Sequence, residues 1–241
     1  MSVVRVVRMM IALSASLVLA ACAGSAREIA SAGDPFADRY RALHPSVVLL
    51  TMRIPAEHPR TRGEMQDAFG TGVVIASGDW GTQILTDAHV VDGAQKLHAL
   101  IGDAQKARAR VIARDDADDF ALVETALRNR RVARLGTSKT VVPGDAIGII
   151  GYPVPDAFED ERLGTTASIY AGHVSSIRRD SFELDLAIIP GESGGPVFDA
   201  RSGAVIGIAE SRFDEERAIG FATPIDAART FLRRHARGFA R

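Results

Sequence analysis

From Val47 onward the chain is cut into short apolar runs, and this limits its fold more than any other feature. Val47–Leu50, Thr71–Ile75, Thr82–Thr86, Ala109–Ala113, Phe120–Val123, Ala146–Ile150, Thr165–Tyr170, Phe182–Leu186, Val197–Phe198, Val205–Ile208 and Gly220–Ala222 are each two to six residues long. Runs of this length suit strands, and turn material such as Ser77-Gly78-Asp79 separates them. No strand–helix–strand alternation recurs, so the pattern predicts an all-β barrel or sandwich. Helix is expected only at the two ends. Pro35–Leu43 can place Phe36, Tyr40 and Leu43 on one side. Pro224 opens a second segment, to about residue 236, in which Ala227, Ala228, Phe231 and Leu232 form an apolar stripe opposite arginines. The arginine-rich stretch Leu127–Val132 is the best internal boundary. It divides the strands into two nearly equal sets, about 45–126 and 132–223.

Composition excludes little but points clearly. The 241 residues are 46% hydrophobic and 24% charged, enough apolar matter for a real core. A formal charge of −1 gives no field that would recruit nucleic acid or an anionic membrane.

The first 21 residues read as a targeting segment. Arg5 and Arg8 precede thirteen uncharged residues, Met9–Ala21, a stretch short for a bilayer span. Leu19-Ala20-Ala21-Cys22 resembles a bacterial lipobox, which implies cleavage before Cys22 and lipidation of that residue. Cys22 is the only cysteine, so it has no partner for an internal disulfide. An ordinary secretory signal cut after Ala21 or Ala23 is the alternative. Residues 22–34, rich in Ala, Ser and Gly, read as a tether.

Three segments carry chemistry: Leu85-Thr86-Asp87-Ala88-His89-Val90-Val91, Asp118-Asp119-Phe120-Ala121-Leu122-Val123 and Pro190-Gly191-Glu192-Ser193-Gly194-Gly195-Pro196. A serine hydroxyl needs an adjacent base to act as a nucleophile at neutral pH. Histidine can take that proton and return it, and a carboxylate behind it fixes its tautomer. Gly-x-Ser-x-Gly alone is weak, because α/β-hydrolases carry it too, followed by Asp or Glu and then His. Here His89 precedes Asp119 by 30 residues and Asp119 precedes Ser193 by 74, and only 48 residues follow the serine.

Together these segments resemble the trypsin-like serine peptidases, most closely the bacterial HtrA (Deg) branch. Phe69-Gly70-Thr71-Gly72-Val73 and Ile219-Gly220-Phe221-Ala222-Thr223-Pro224 extend the resemblance over about residues 36–232. It implies two six-stranded β-barrels of chymotrypsin type with the site in the cleft between them. It also implies a domain covering 35–241 with a C-terminal helix over 224–236. The family pattern assigns Ser193 as nucleophile, His89 as general base and Asp119 as its orienting acid. The backbone N–H groups of Gly191 and Ser193 then form the oxyanion hole. No metal or cofactor is expected. Glu192 stands where the branch commonly has asparagine, and its side chain is expected at the cleft rim. The specificity pocket is expected from Ala187, Ile188, Ile189, Ile208, Ala209 and Glu210. Alanine at 187, where trypsin has an aspartate, argues for small aliphatic residues before the scissile bond.

The resemblance further implies polypeptide substrates such as damaged envelope proteins. It also implies export to the periplasm, with Cys22 lipid holding the protein to a bacterial membrane, the outer one being favoured. HtrA proteins usually continue into PDZ domains, for which the residues after Leu232 leave no room. Phe36 and Tyr40 are candidates for the trimer contact that the family's N-terminal segment often makes. Two other readings stay open: a catalytically silent binding module that uses the cleft, and an esterase pairing Ser193 with His235. The remaining histidines, His44, His58, His98 and His173, read as surface or structural.

Overall fold

The computed structural model describes residues 35–56, 64–101, 105–210 and 219–239. The expected signal peptide, Cys22, the tether and His58 lie outside the described residues. Helix α1 (Pro35–Leu43) comes first. Strands β1 (Val47–Pro55), β2 (Met65–Gly78), β3 (Gly81–Asp87), β4 (Gln95–Ile101), β5 (Gln105–Asp115) and β6 (Phe120–Thr125) then follow. They close a barrel in the order β1-β2-β3-β6-β5-β4. The second set is β7 (Ala146–Gly151), β8 (Ser168–Ile177), β9 (Phe182–Leu184), β10 (Pro196–Asp199), β11 (Val205–Glu210) and β12 (Gly220–Pro224). It closes as β7-β8-β9-β12-β11-β10, the same permutation. A short helix α2 (Pro155–Asp160) lies between β7 and β8, and α3 (Ile225–His235) ends the described chain. The expected fold of two six-stranded barrels and a terminal helix is the one found. No helix among the described residues is long and apolar enough to cross a membrane.

Ring closure follows from strands that pair on both sides. In the first barrel β1 faces β2 through Val47↔Val73 and β4 through Val48↔Ile101. No strand keeps an open edge, which is how a chain of short strands satisfies its backbone without offering a template for aggregation. Each barrel holds its own apolar core. Val48, Leu50, Met52, Val74, Ile84 and Val123 fill the first. Ile147, Ile149, Val174, Leu184, Val197 and Ala222 fill the second.

Helix α3 joins the two. It leaves β12 and buries Ile225, Ala228, Phe231 and Leu232. Phe231 stacks on Phe120 at the start of β6, with ring centroids 6.2 Å apart. Its first turn is tied to the inter-barrel segment: Asp226 Oδ2 accepts from Thr137 Oγ1 at 2.7 Å and from Ser138 N at 2.8 Å. Burial pushes the Asp226 carboxyl up, but these hydrogen bonds, with Arg229 nearby, outweigh it and hold the group below its ordinary value.

Two strands and one helix depart most from the expected pattern. The strand β4 was not among the expected runs. Its inward residues are only Leu97, Ala99 and Ile101, with His98 and Leu100 between them and Gln95 and Lys96 exposed before them, so the inward stripe is short and interrupted. The run expected over Thr165–Tyr170 is found as Ser168–Ile177, mostly half-exposed. Helix α2 is six residues, too short for a periodic signal.

Candidate active site

His89 and Asp119 are delivered by neighbouring strands of the first barrel. The strands β3 and β6 pair along their length, ending in Asp87↔Phe120. The chain leaving β3 and the chain entering β6 therefore meet at one end. Ala88 N donates to Asp119 O at 3.1 Å, which closes that end. Asp119 sits at φ +55°, a conformation that Asp tolerates better than most residues. Its two carboxylate oxygens are both used by His89. Oδ1 accepts from the backbone N at 2.9 Å, and Oδ2 lies 2.7 Å from the ring Nδ1. Burial raises the affinity of Asp119 for a proton. The hydrogen bonds from the His89 ring and backbone win, and the carboxyl is held below its ordinary value. The Nε2 edge of the imidazole is left to face outward, with the side chain 46% exposed.

Asp87, His89 and Asp119 form the one cluster of three metal-type ligands among the described residues, with ligand atoms within 4.8 Å of one another. Both oxygens of Asp119 are already committed to His89, so this arrangement suits proton handling.

Ser193 comes from the second barrel, in a turn that its neighbours dictate. Glu192 N donates to Ile189 O at 3.0 Å, with Pro190 and Gly191 between them. Gly191 has φ +96°, so the four residues make a type II turn, which needs glycine at its third position. A Cβ there would lie 2.3 Å from Tyr152 O, so the site excludes any side chain. The four carbonyls of the turn are all engaged, Glu192 O accepting from Gly195 N at 2.9 Å. Ile189 O takes Glu192 N, Pro190 O takes Val154 N at 2.8 Å, and Gly191 O takes the Thr71 hydroxyl at 2.6 Å. Among the described residues the N–H groups of Gly191 and Ser193 have no protein acceptor.

The turn is held from both barrels. Thr71 N, on β2, donates to Ser193 O at 2.9 Å, and the Thr71 hydroxyl also accepts from Tyr152 N at 3.1 Å. Thr86 Oγ1, three residues before His89, donates to Thr71 O at 2.7 Å. On the other side Gly194 N donates to Ala209 O at 2.9 Å, and Ala209 N to Gly195 O at 2.8 Å. The sequence pattern offered Thr71 only as part of a strand. Its role as the junction between the histidine strand and the serine turn is visible only in three dimensions. Ser193 itself is 7% exposed, and no hydrogen bond joins its hydroxyl to the His89 ring.

Not every expected site residue lies where the sequence suggested. Glu192 is not at the rim. It is 1% exposed, its Oε2 accepts from Ile189 N at 2.8 Å, and its Oε1 is buried without a partner. The type II turn directs this side chain inward. Of the pocket residues, Ala187, Ile189 and Glu210 are half-buried, with Glu210 Oε2 accepting from Thr223 Oγ1 at 3.2 Å. Ile208 and Ala209 have no exposed surface, and Ile188 packs into the core of the second barrel, so these three back the site from within. Residues 211–218, which follow Glu210 in the chain, lie outside the described residues. His235 packs against Phe231 with its ring tilted and centroids 5.0 Å apart, and Asp226 is taken up by Thr137 and Ser138; among the described residues no carboxylate is bonded to His235. Tyr40 is likewise engaged within the chain, its hydroxyl donating to Ala167 O at 3.1 Å.

This arrangement has known counterparts. The family profile described as "Trypsin-like peptidase domain" matches residues 70–208, more than half of the chain. The chain belongs to the trypsin-like peptidase family. Two proteins of Synechocystis sp., named as serine proteases HhoB and HhoA, are 31% and 33% identical over 186 and 199 residues. These matches cover 72% and 77% of this chain but 40% and 46% of the relatives. A DegP-like protein of Pseudomonas savastanoi pv. phaseolicola, named as a periplasmic serine endoprotease, is 30% identical over 187 residues, 73% of this chain and 36% of that one. The chain therefore spans less than half the length of these curated relatives. Among solved structures, the HtrA-type protease AlgW with tripeptide is similar at a TM-score of 0.66 and 26% identity, over 82% of this chain and 62% of that one. This trypsin-like chain is HtrA-like in both sequence and fold.

Proposed function

We propose that the protein is a serine endopeptidase of the cell envelope that works through Ser193, His89 and Asp119. One observation carries the reading: a type II turn leaves the N–H groups of Gly191 and Ser193 without acceptors, and Thr71 fastens that turn to the strand leading to His89. In attack, Ser193 Oγ forms a bond to the scissile carbonyl carbon while its proton passes to His89 Nε2. The negative charge on the carbonyl oxygen is met by the two free N–H groups, each worth about 3 kcal/mol in the transition state. The C–N bond then breaks, and His89 gives its proton to the leaving amine. Water repeats the sequence on the acyl-enzyme, with His89 as base, and releases Ser193. Asp119 holds the Nδ1 proton throughout, so that Nε2 is the basic nitrogen. The Ser193–His89 hydrogen bond closes when substrate fills the cleft, since such contacts tighten on binding.

Half-buried Ala187 and Ile189, with no carboxylate at 187, support cleavage after small aliphatic residues such as Val, Ala or Ile. Lipidation at Cys22 and residence in the periplasm, facing polypeptides of the envelope, are the reading that the N-terminal sequence and the DegP-like relatives support. A fluorophosphonate probe and casein test the activity with wild type, Ser193→Ala, His89→Ala and His235→Ala. Loss with the first two and retention with the third is expected. Equal loss with His235→Ala, or labelling that survives His89→Ala, overturns the triad. A peptide library dominated by cleavage after Arg or Lys overturns the specificity.

A further inference from the structure

Glu192 is the one carboxylate built into the serine turn, and the reaction as described does not use it. Its backbone N–H and its side chain both close on the same residue. Glu192 N reaches Ile189 O at 3.0 Å, and Oε2 takes Ile189 N at 2.8 Å. The side chain thus staples the turn that presents Gly191 and Ser193. Its Cβ packs on the end of β7, where a Cβ placed on Gly151 would lie 3.1 Å away. No Lys, Arg or His pairs with it among the described residues. The titratable group facing it is Tyr170 on β8, whose phenol is pushed up first by burial and then by the charge of Glu192. No charged group of β2 pairs with it among the described residues, and the Thr71 hydroxyl on that strand is bound to Gly191 O.

We propose that Glu192 is a positioning residue of the oxyanion hole and works as the neutral acid, so that its ionisation disables the turn. The proposal rests on the peptidase reading of Ser193. As a neutral acid the group keeps its bond to Ile189 N–H and carries a proton on Oε1. As a carboxylate it places charge on a buried oxygen that has no donor, a costly state. That charge would sit inside the turn that must accept the negative oxygen of the substrate, and like charges oppose each other most where water is excluded. Burial, working against the Ile189 hydrogen bond, raises the Glu192 carboxyl to about 7, which puts the transition in the working range of an envelope enzyme. Activity then falls with rising pH as Glu192 loses its proton.

The test is the rate of fluorophosphonate labelling and of peptide cleavage by the full chain between pH 5 and 9, for wild type and Glu192→Gln. Glutamine keeps an acceptor for Ile189 N–H but cannot ionise. Wild type should lose about tenfold per pH unit above 7, in kcat rather than KM. Glu192→Gln should lack that alkaline limb, whatever its plateau. An alkaline fall of the same size in Glu192→Gln, or none in wild type, overturns the proposal. A second measurement needs no turnover and no folded variant at position 192: carboxyl ¹³C and amide NMR of the full chain carrying Ser193→Ala. A glutamate carboxyl should titrate near 7, and the amides of Gly191 and residue 193 should shift with the same midpoint. A glutamate titrating only in the ordinary range overturns the proposal. If no form is labelled at any pH, the peptidase reading fails, and the NMR titration alone decides for Glu192.

Discussion

Among the described residues two histidine–aspartate pairs have nearly the same local geometry. In the first barrel Asp119 accepts the His89 backbone N–H at 2.9 Å and lies 2.7 Å from its Nδ1. In the second, Asp185 accepts the His173 backbone N–H at 2.6 Å and lies 3.0 Å from its Nδ1. In both, burial pushes the carboxyl up and the histidine's hydrogen bonds pull it below the ordinary value. The difference lies in what surrounds them. The strand leading to His89 is fastened through Thr86 and Thr71 to a turn carrying a serine and two unengaged N–H groups. The His173 pair lies open, with side chains 57% and 45% exposed, on the flank of β8 and β9. A two-point grip on an imidazole is thus a motif that this fold makes for local reasons. Chemistry needs the nucleophile and a place for developing charge as well.

The sharpest way to break this comparison is to remove the chemistry from the first pair's neighbourhood. Ser193→Ala or His89→Ala should each lower kcat on the order of 10⁶-fold, read by casein or peptide hydrolysis. Asp119→Asn should lower it about 10⁴-fold, because the wrong tautomer is then held. A loss of less than tenfold would place Asp119 with Asp185 as a mere structural acceptor. Next in size is Gly191→Ala, which removes no reacting group and only distorts the turn. A fall of roughly 10²- to 10³-fold in kcat, with KM less affected, is expected from misplacing one oxyanion donor.

Acid unfolding gives a finer contrast. Both aspartates are depressed below 3.8, so each contributes stability that is present above that pH and is lost as pH falls through the folded value. Denaturant titrations between pH 2 and 6 should show Asp119→Asn flattening the acid limb more than Asp185→Asn, since Asp119 is 27% exposed and Asp185 45%. Smallest of all, His173→Ala should change kcat/KM less than twofold and stability by less than about 1 kcal/mol. A tenfold loss of activity there would make the second pair part of the machinery after all.

The same contrast explains what the sequence could and could not disclose. His89, Asp119 and Ser193 stand out in the sequence because acyl transfer demands these residue types, and their order differs from that of the α/β-hydrolases. The barrels were legible because short apolar runs with turns between them leave few other folds. His173 carried no such signal: its aspartate is 12 residues away, just past the end of β9, so only the pairing of β8 with β9 brings the two together. Glu192 was placed at the rim because a charged residue beside a serine reads as solvated. Its direction is set by the type II turn, and turn type depends on a glycine dihedral, not on side-chain polarity. The strand β4 hid for the opposite reason, its outward residues diluting an inward stripe of three.

Thr71 gives the molecule an order of failure. Each barrel is a closed ring with its own core. The serine turn has no such independence. It is registered to the first barrel through one residue, whose amide and hydroxyl hold Ser193 O and Gly191 O. A slide of one barrel past the other by about the length of a hydrogen bond would break these two bonds and dismantle the proposed oxyanion site before either core opened. Heat, denaturant or a bound protein that pries at the cleft should therefore silence the chain well before it melts, and let it recover as soon as the strain is released.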